Sequence, residues 1–304
     1  MDAANDGGGP QDAAIDTGPV FDAGALACRW TSGPIMTSLV QFAGLNTDFN
    51  EMEAFLTFDG LRLYFYSNRT GAGDVYMATR ASSTDSFLNE TLVPWASSAL
   101  VETRVETSRD ELTAVVAAEW AGTEGGSDLW IGSRTDPGSP FDSFTNLSAL
   151  NTAGEEVDPH LSADGLRLYF ANDQGGAPAT NKYQILVAER TTTTSEFGAP
   201  HVIEELADLE YDNANATLSG DETVVVFTST RPRTVGGASD ANIWYATRAS
   251  LTTAFGTPVP LPVPINLDST VDYEPFLSAD GCQLIFSSMR NAPGDADLFM
   301  ASFD

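Results

Sequence analysis

The stretch Asp272-Tyr-Glu-Pro-Phe-Leu-Ser-Ala-Asp-Gly-Cys-Gln-Leu-Ile-Phe-Ser-Ser-Met-Arg290 decides the fold, because the chain repeats it. Residues 156–170 read Glu-Val-Asp-Pro-His-Leu-Ser-Ala-Asp-Gly-Leu-Arg-Leu-Tyr-Phe, and residues 51–69 run from Glu51 through Asp59-Gly60 to Arg69. Weaker copies surround Asp110 and Asp221. With the aspartate of each turn as anchor (Asp59, Asp110, Asp164, Asp221, Asp280), the spacings are 51, 54, 57 and 59 residues. A phrase recurring at such a period is the mark of a repeat architecture.

Each unit reads as four short strands. The first leads into the anchor, as in Ala54-Phe-Leu-Thr57. The Asp-Gly pair then predicts a hairpin, since Gly accepts positive φ. Repeats two and four carry Glu111 and Glu222 in place of that Gly, so their turns are expected to differ. An apolar second strand follows, such as Leu166-Arg-Leu-Tyr-Phe170, then a turn that is Gly-rich in the early repeats, and an alternating third strand ending in arginine: Arg80, Arg134, Arg190, Arg248. Seven residues after each arginine stands a phenylalanine: Phe87, Phe141, Phe197, Phe255. A short apolar stretch such as Pro258-Val-Pro-Leu-Pro-Val263 makes the outermost strand, and its prolines suit an edge. The fifth unit ends at its third strand, Asp297–Phe303. Residues 33–43 resemble a fourth strand with no sheet of their own, so the economical solution is a ring in which they complete the last sheet and cover its open edge.

Composition narrows the function classes. Fourteen Lys and Arg stand against 43 Asp and Glu, a net charge of −29. Nucleic-acid binding needs clustered cations on phosphates and is disfavoured, as are anionic membrane surfaces. No apolar run approaches a membrane span.

Residues 1–29 are rich in Asp, Ala, Gly and Pro and have no basic segment or apolar stretch of a leader. They read as a disordered acidic linker ahead of a single domain over 30–304. Cys28 and Cys282 pair in an oxidising compartment or remain two free thiols in a reducing one.

The pattern Asp/Glu-x-Asp/Glu-Pro-x-Leu-Ser-x-Asp-Gly, an apolar strand, Ser-x-Arg, a turn and Asp-Leu-Tyr/Phe resembles the TolB-type, WD-repeat-like β-propeller repeat over residues 51–304. The match is close in units one, three and five and looser in two and four. The resemblance implies an all-β, five-bladed β-propeller with four antiparallel strands per blade, closed by the N-terminal strand. It also implies an exported bacterial protein whose work is scaffolding or partner binding. The linker is similar to the spacers that follow the lipidated cysteine of mature lipoproteins. An outer-membrane lipoprotein facing the periplasm or the exterior, with Met1 where a removed leader ended, is then expected; a cytoplasmic start with a loose tail is the alternative. A monomer with a protein partner or a glycan of the envelope completes the expectation.

Strand direction sorts the polar residues by face. On the hairpin face each anchor aspartate is expected to pair with the arginine of its own blade, Asp59 with Arg80, Asp110 with Arg134, Asp164 with Arg190 and Asp221 with Arg248, as structural pairs. At the opposite mouth of the channel, eight and six residues before the anchors, stand Glu51 and Glu53, Glu102 and Arg104, Glu156 and Asp158, Asn213 and Asn215, Asp272 and Glu274. Arg69, Arg231 and Arg290 come from neighbouring turns. Glu51, Glu53, Arg69, Arg104, Asp158, Arg231, Asp272, Glu274 and Arg290 are the candidate ligand-binding set. Within it Glu53, Asp158 and Glu274 are candidate ligands for a hard cation such as Ca2+; a solvated ring offset by arginines is the plainer alternative.

Other chemistry finds little support. His160 replaces the Phe55 and Phe276 of sister blades, which favours packing. There is no Gly-x-Ser-x-Gly elbow, no phosphate-binding glycine motif and no His/Cys cluster for zinc. Two carboxylates of the mouth would suffice for a glycoside hydrolase, and Trp95 or Trp120 would suit a lectin-like reader. The acids follow the repeat, however, whereas catalysis asks one or two blades to depart from symmetry. No catalytic residue is therefore assigned, no cofactor is required, and a non-enzymatic binding or scaffold protein is the leading reading. Limited proteolysis is expected to trim residues 2–26 without lowering the melting temperature; a protected tail would contradict the linker.

Overall fold

The computed structural model describes residues 28–71, 73–97, 102–173, 182–234 and 237–304, so the linker expected over 1–29 lies almost wholly outside the described residues. Strand β1 (Met36–Gln41) precedes the first complete blade, β2 (Glu51–Leu56), β3 (Arg62–Ser67), β4 (Asp74–Thr79) and β5 (Leu88–Leu92). Blade two is β6 (Glu102–Thr107), β7 (Thr113–Ala118), β8 (Asp128–Ser133) and β9 (Phe144–Asn146). Blade three is β10 (Glu156–Leu161), β11 (Arg167–Asn172), β12 (Gln184–Glu189) and β13 (His201–Val202). Blade four is β14 (Asn213–Leu218), β15 (Val224–Ser229), β16 (Asn242–Thr247) and β17 (Val259–Pro260). Blade five has β18 (Asp272–Leu277), β19 (Gln283–Ala292) and β20 (Asp295–Phe303). Every sheet is four-stranded, and the order β18-β19-β20-β1 makes β1 the outer strand of blade five. This is the expected five-bladed propeller, closed as the sequence implies: β1 runs antiparallel to β20, with Leu39 opposite Ala301.

Each blade packs both faces on its neighbours, so its second strand is buried on both sides. Leu63, Val116, Leu168, Val226 and Ile285 are fully enclosed, which is why these strands read as unbroken apolar runs. Trp130 and Trp244 lie in inter-blade core. The closure has its own lock. Trp30 packs against Phe303 (5.0 Å) and Tyr245 (5.3 Å), and its indole N–H donates to Gly281 O at 2.8 Å. Cys28 and Cys282 form a disulfide across 254 residues of chain. By chain entropy alone such a loop contributes about 5 kcal/mol.

Two expectations about the hairpin face are corrected. The anchor aspartates do not take the third-strand arginines. They close their own turns: Asp59 Oδ1 accepts the Thr57 hydroxyl at 2.6 Å and the Leu61 N–H at 2.9 Å, and the same pair of bonds recurs at Asp110, Asp164, Asp221 and Asp280. The arginines instead donate Nε to the carbonyl of the residue after the anchor: Gly60 from Arg80, Glu111 from Arg134, Gly165 from Arg190 and Glu222 from Arg248, all at 2.6–2.7 Å. Each guanidinium then lies 4.3–4.5 Å over the phenylalanine seven residues on. Cation–π contact and a backbone bond satisfy the group more fully than an exposed carboxylate would. This is the physical content of the seven-residue offset.

The turns of repeats two and four do not differ either. Glu111 and Glu222 adopt φ of 57° and 56°, the left-handed conformation of Gly60 and Gly165. A non-glycine residue there costs roughly 1–2 kcal/mol. A contact across the blade boundary offsets it. Arg62 reaches Glu111, which Arg134 also approaches at 3.4 Å. Arg167 grips Glu222 through Nε at 2.7 Å and Nη2 at 2.6 Å, and the Tyr169 hydroxyl donates to the same carboxylate at 2.5 Å. Blades one and three supply Gly-Leu-Arg and blades two and four supply the glutamate, so blade one clasps blade two and blade three clasps blade four. Arg167→Met leaves buried Glu222 with only the Tyr169 hydroxyl and Arg248 at 3.8 Å, and is expected to cost about 3 kcal/mol, on the order of 8 °C in thermal midpoint. Adding Glu222→Gly, which removes both charge and strain, is expected to restore most of it; thermal unfolding of the two variants measures this.

Candidate functional site

The first strand of every blade carries a register shift, at Met52/Phe55, Glu102/Val105, Val157/His160, Ala214/Thr217 and Tyr273/Phe276. An extra residue there bends the strand and re-aims a side chain. In four blades a non-glycine residue in the bulge has positive φ: Glu53 at 51°, Asp158 at 57°, Asn215 at 53° and Glu274 at 50°. These, with Arg104 of blade two, are the five residues six before the anchors. Strain of this kind persists only where the surroundings impose it and marks sites worth chemical scrutiny.

The candidate set divides by offset. Among the residues eight before the anchors, Glu51 and Asp272 are tied to the arginines of their own blades, and Asn213 to Arg231 and to Gln184 of blade three. Glu51 is fully buried and accepts from the Thr47 N–H and hydroxyl, the Ser67 hydroxyl at 2.7 Å and Arg69 Nη2 at 3.1 Å. Asp272 takes the Ser288 hydroxyl at 2.5 Å and Arg290 Nη2 at 2.7 Å. Arg231 reaches Asn213 Oδ1 at 2.5 Å. The same arginines stack on third-strand rings: Arg69 on Tyr76 at 4.6 Å, Arg231 on Trp244 at 5.3 Å and Arg290 on Phe299 at 4.7 Å. Glu51, Asp272, Arg69, Arg231 and Arg290 thus hold the first strand against the second and third.

Glu53, Arg104, Asp158 and Glu274 come together at the axis, where each carboxylate feels the field of Arg104. Arg104 has no exposed surface, and among the described residues all three guanidinium nitrogens lack a hydrogen-bond partner. Its nearest carboxylate contact is Glu106 Oε2 at 4.0 Å. One Glu53 oxygen is also buried and unpartnered. The acids have backbone work as well: Glu274 Oε2 accepts the bulge N–H of Glu53 at 3.1 Å and the Ser287 hydroxyl at 2.9 Å, and Asp158 Oδ2 accepts the bulge N–H of Asn215 at 3.1 Å. Each therefore ties its blade to the next. Among the described residues no group of three or more His, Cys, Asp or Glu is gathered to hold a metal ion.

A second layer, four residues before the anchors, lies along the same strands: Phe55, Glu106, His160, Thr217 and Phe276. Phe55 and Phe276 meet edge to face at 5.3 Å. His160 is buried as expected of a packing residue, yet it is also polar-bonded. Nδ1 lies 2.8 Å from Glu106 Oε1, and Nε2 accepts the Leu218 N–H at 3.2 Å. Glu106 belongs to the site and is absent from the sequence-derived set. Its position, four before Asp110 where sister blades have Phe, Thr or His, is the signal that would have found it.

Burial dominates the titration of the inner ring. It pushes Glu53 well above the usual carboxylate range, reinforced by Glu274 and Asp158, with Arg104 pulling back. It raises Asp158 against the pull of Arg104 and the Asn215 bonds. Glu274 is pushed up to about 7, by burial first and by Asp158, against the Ser287 hydroxyl and Arg104. Three like charges at one level hold protons rather than all ionise.

No protein-family model matches the sequence, and no curated protein sequence matches it. Among solved structures the chain is similar to TolB from Acinetobacter baumannii, at TM-score 0.51 and 17% identity, covering 84% of this chain and 55% of that one. It is similar to a thermostable family-43 glycoside hydrolase at TM-score 0.54 and 14% identity, covering 85% and 90%. It is also similar to the catalytic domain of Coprinopsis cinerea GH62 alpha-L-arabinofuranosidase at 0.57 and 9%, covering 89% and 97%. The chain spans about half the length of the TolB structure. At these identities the likeness is one of fold.

A carboxyl that holds its proton more tightly folded than unfolded weakens the fold where it is ionised in both states. That weakening fades as pH falls through the folded value toward the unfolded one. Glu274→Gln is therefore expected to raise the thermal midpoint at pH 8 by roughly 5 °C, from a gain on the order of 2 kcal/mol, and to leave it unchanged near pH 5. Equal effects at both pH values would contradict a raised Glu274.

Proposed function

We propose that the chain is an exported, non-enzymatic binding or scaffold propeller of the cell envelope. The observation that carries this reading is the enclosure of the axial ring: Arg104 is wholly buried, and Asp158 and Glu274 expose only 6% and 8% of their surface. The carboxylates of Asp158 and Glu274 are shut away from a substrate and bonded to backbone of the next blade, while Glu53 is half-buried. The faces of the ring, under a net charge of −29, remain for partner binding. The Cys28–Cys282 disulfide supports an oxidising compartment and hence export to the periplasm or beyond. A lipid anchor in the precursor belongs to the same reading. Among the described residues no helix is long and apolar enough to cross a membrane.

One observation favours a second reading. The unpartnered nitrogens of Arg104 call for acceptors, while Glu53 calls for a donor. A hydroxyl is both, so a glycan entering a widened mouth would satisfy the two together. Two of the similar structures are named as a glycoside hydrolase and an arabinofuranosidase. A calcium-like cation at Glu53, Asp158 and Glu274 is a third occupant, opposed by the charge of Arg104.

Pull-down from an envelope extract, a polysaccharide hydrolysis panel and calorimetry with calcium separate these. The scaffold reading expects a specific protein partner, no turnover, and no calcium heat that Glu274→Gln removes. Hydrolysis abolished by Asp158→Asn or Glu274→Gln would replace it with the glycan reading.

A further inference from the structure

The loop after each outer strand begins with a backbone bond to the third strand, which aligns the blades residue by residue. Val93 N–H donates to Val75 O, and Leu147 N–H to Leu129 O, both at 2.9 Å. Two residues on, blade one has Trp95 and blade two has Ala149. Trp95 fills the groove between blades one and two: its ring lies 4.8 Å from Phe141, edge on, and 6.0 Å from Phe144, stacked. In the next groove the equivalent of Trp95 is the exposed Ala149, and Pro200 stands where Phe144 would be. Phe197 keeps the place of Phe141, seven residues after its arginine. A cavity of about 1310 Å³ lies along this groove between blades two and three and reaches Phe58 and Asp59 of blade one; it is floored by Leu150, Leu161 and Phe197, with Ile131, Thr145 and Leu147 on the blade-two side.

We infer that this groove is a docking site for an extended polypeptide segment of a partner, anchored by an aromatic side chain and flanked by basic residues. The occupant is read from the molecule itself, since the sister groove shows what such walls accept, an indole lying against the phenylalanine seven residues after the arginine. The size points to a peptide, because the cavity exceeds the ordinary small-molecule range of about 300–1,000 Å³ and one ring would leave most of it empty. Aromatic anchors in such pockets carry much of the energy of protein interfaces. The charge follows from the lining, where Asp59, Asp110, Asp164 and Glu196 outnumber Arg109 and Arg190. Arg190 is turned onto Phe197 and bonded to Gly165 O, and Arg109 lies over Phe58. The site is separate from the axial ring and does not depend on what that ring holds.

The test uses the full chain and a fluorescein-labelled peptide, acetyl-Gly-Lys-Ala-Trp-Ala-Lys-Gly-amide, followed by polarisation at low salt. Saturable binding is expected, weakened at least tenfold by Ala149→Trp, which introduces the plug that blade one carries. The peptide with Ala for Trp, and the peptide with Glu for both Lys, are each expected to bind at least tenfold more weakly. If Ala149→Trp fails to fold, Thr193→Arg on the opposite wall provides the same obstruction and the same expected loss. Absence of saturable binding, or unchanged affinity in the obstructed variant, overturns the site. Equal binding of the Ala-for-Trp peptide overturns the aromatic anchor, and binding of N-acetyl-tryptophanamide as tight as the peptide overturns the polypeptide ligand.

Discussion

The whole ring depends on one strand pairing, β1 against β20. Blades one to four are continuous in sequence, and blade five has only three strands of its own. Without β1, strand β20 would present a row of unpaired amides and carbonyls. The pairing removes that edge and joins the two ends of the chain. Around it the molecule concentrates its strongest local restraints: the Trp30 stack on Phe303 and Tyr245, the indole bond to Gly281, and the disulfide to Cys282. Cys282 occupies the place held by Leu61 and Leu166 in the odd blades, so the covalent tie sits where an ordinary blade has a plain apolar residue.

Inside the ring, polar residues do most of their work between blades. The Arg–Glu clasps link one to two and three to four. The inner-strand bulges link three to four and five to one, through Asp158 to Asn215 and Glu274 to Glu53. Apolar packing between flat sheets is non-directional. These bonds fix which register one blade takes against the next. The cost is a set of strained left-handed residues, Glu111 and Glu222 at the clasps and Glu53, Asp158, Asn215 and Glu274 in the bulges, and three of the latter bring acids to the axis.

The axial ring therefore has a double character. Asp158 and Glu274 are structural bonds to the neighbouring blade, yet the guanidinium of Arg104 among them has no hydrogen-bond partner among the described residues. Blade two is the one that departs from the pattern: it alone places a cation in the inner ring and an acid, Glu106, in the layer that sister blades fill with Phe, Thr or His. Blade one departs too, since Trp95 has Ala149, Glu205, Val263 and Gly44 as its counterparts in the other blades. Departures from the repeat cluster where the molecule has something other than closure to accomplish.

The sequence by itself determined the blade count, the strand order and the closing strand, because each rests on local chemistry repeated along the chain. An anchor turn followed by an apolar run means the same thing in every copy. The Arg-to-Phe offset was legible as a regularity, but its meaning was not. An aspartate and an arginine at fixed spacing suggest an ion pair until three dimensions put a ring under the guanidinium and a carbonyl beside it. Glu111 and Glu222 looked unfit for the glycine turn because the arginines that stabilise them belong to the preceding blade. Glu51 and Glu53 looked alike, two residues apart on one strand. Only the bulge between them, set by pairing with β3, sends one into its own blade and the other to the axis. The open groove was silent in the sequence for the same reason, since Trp95 and Ala149 become equivalent only once each blade has a neighbour to pack against.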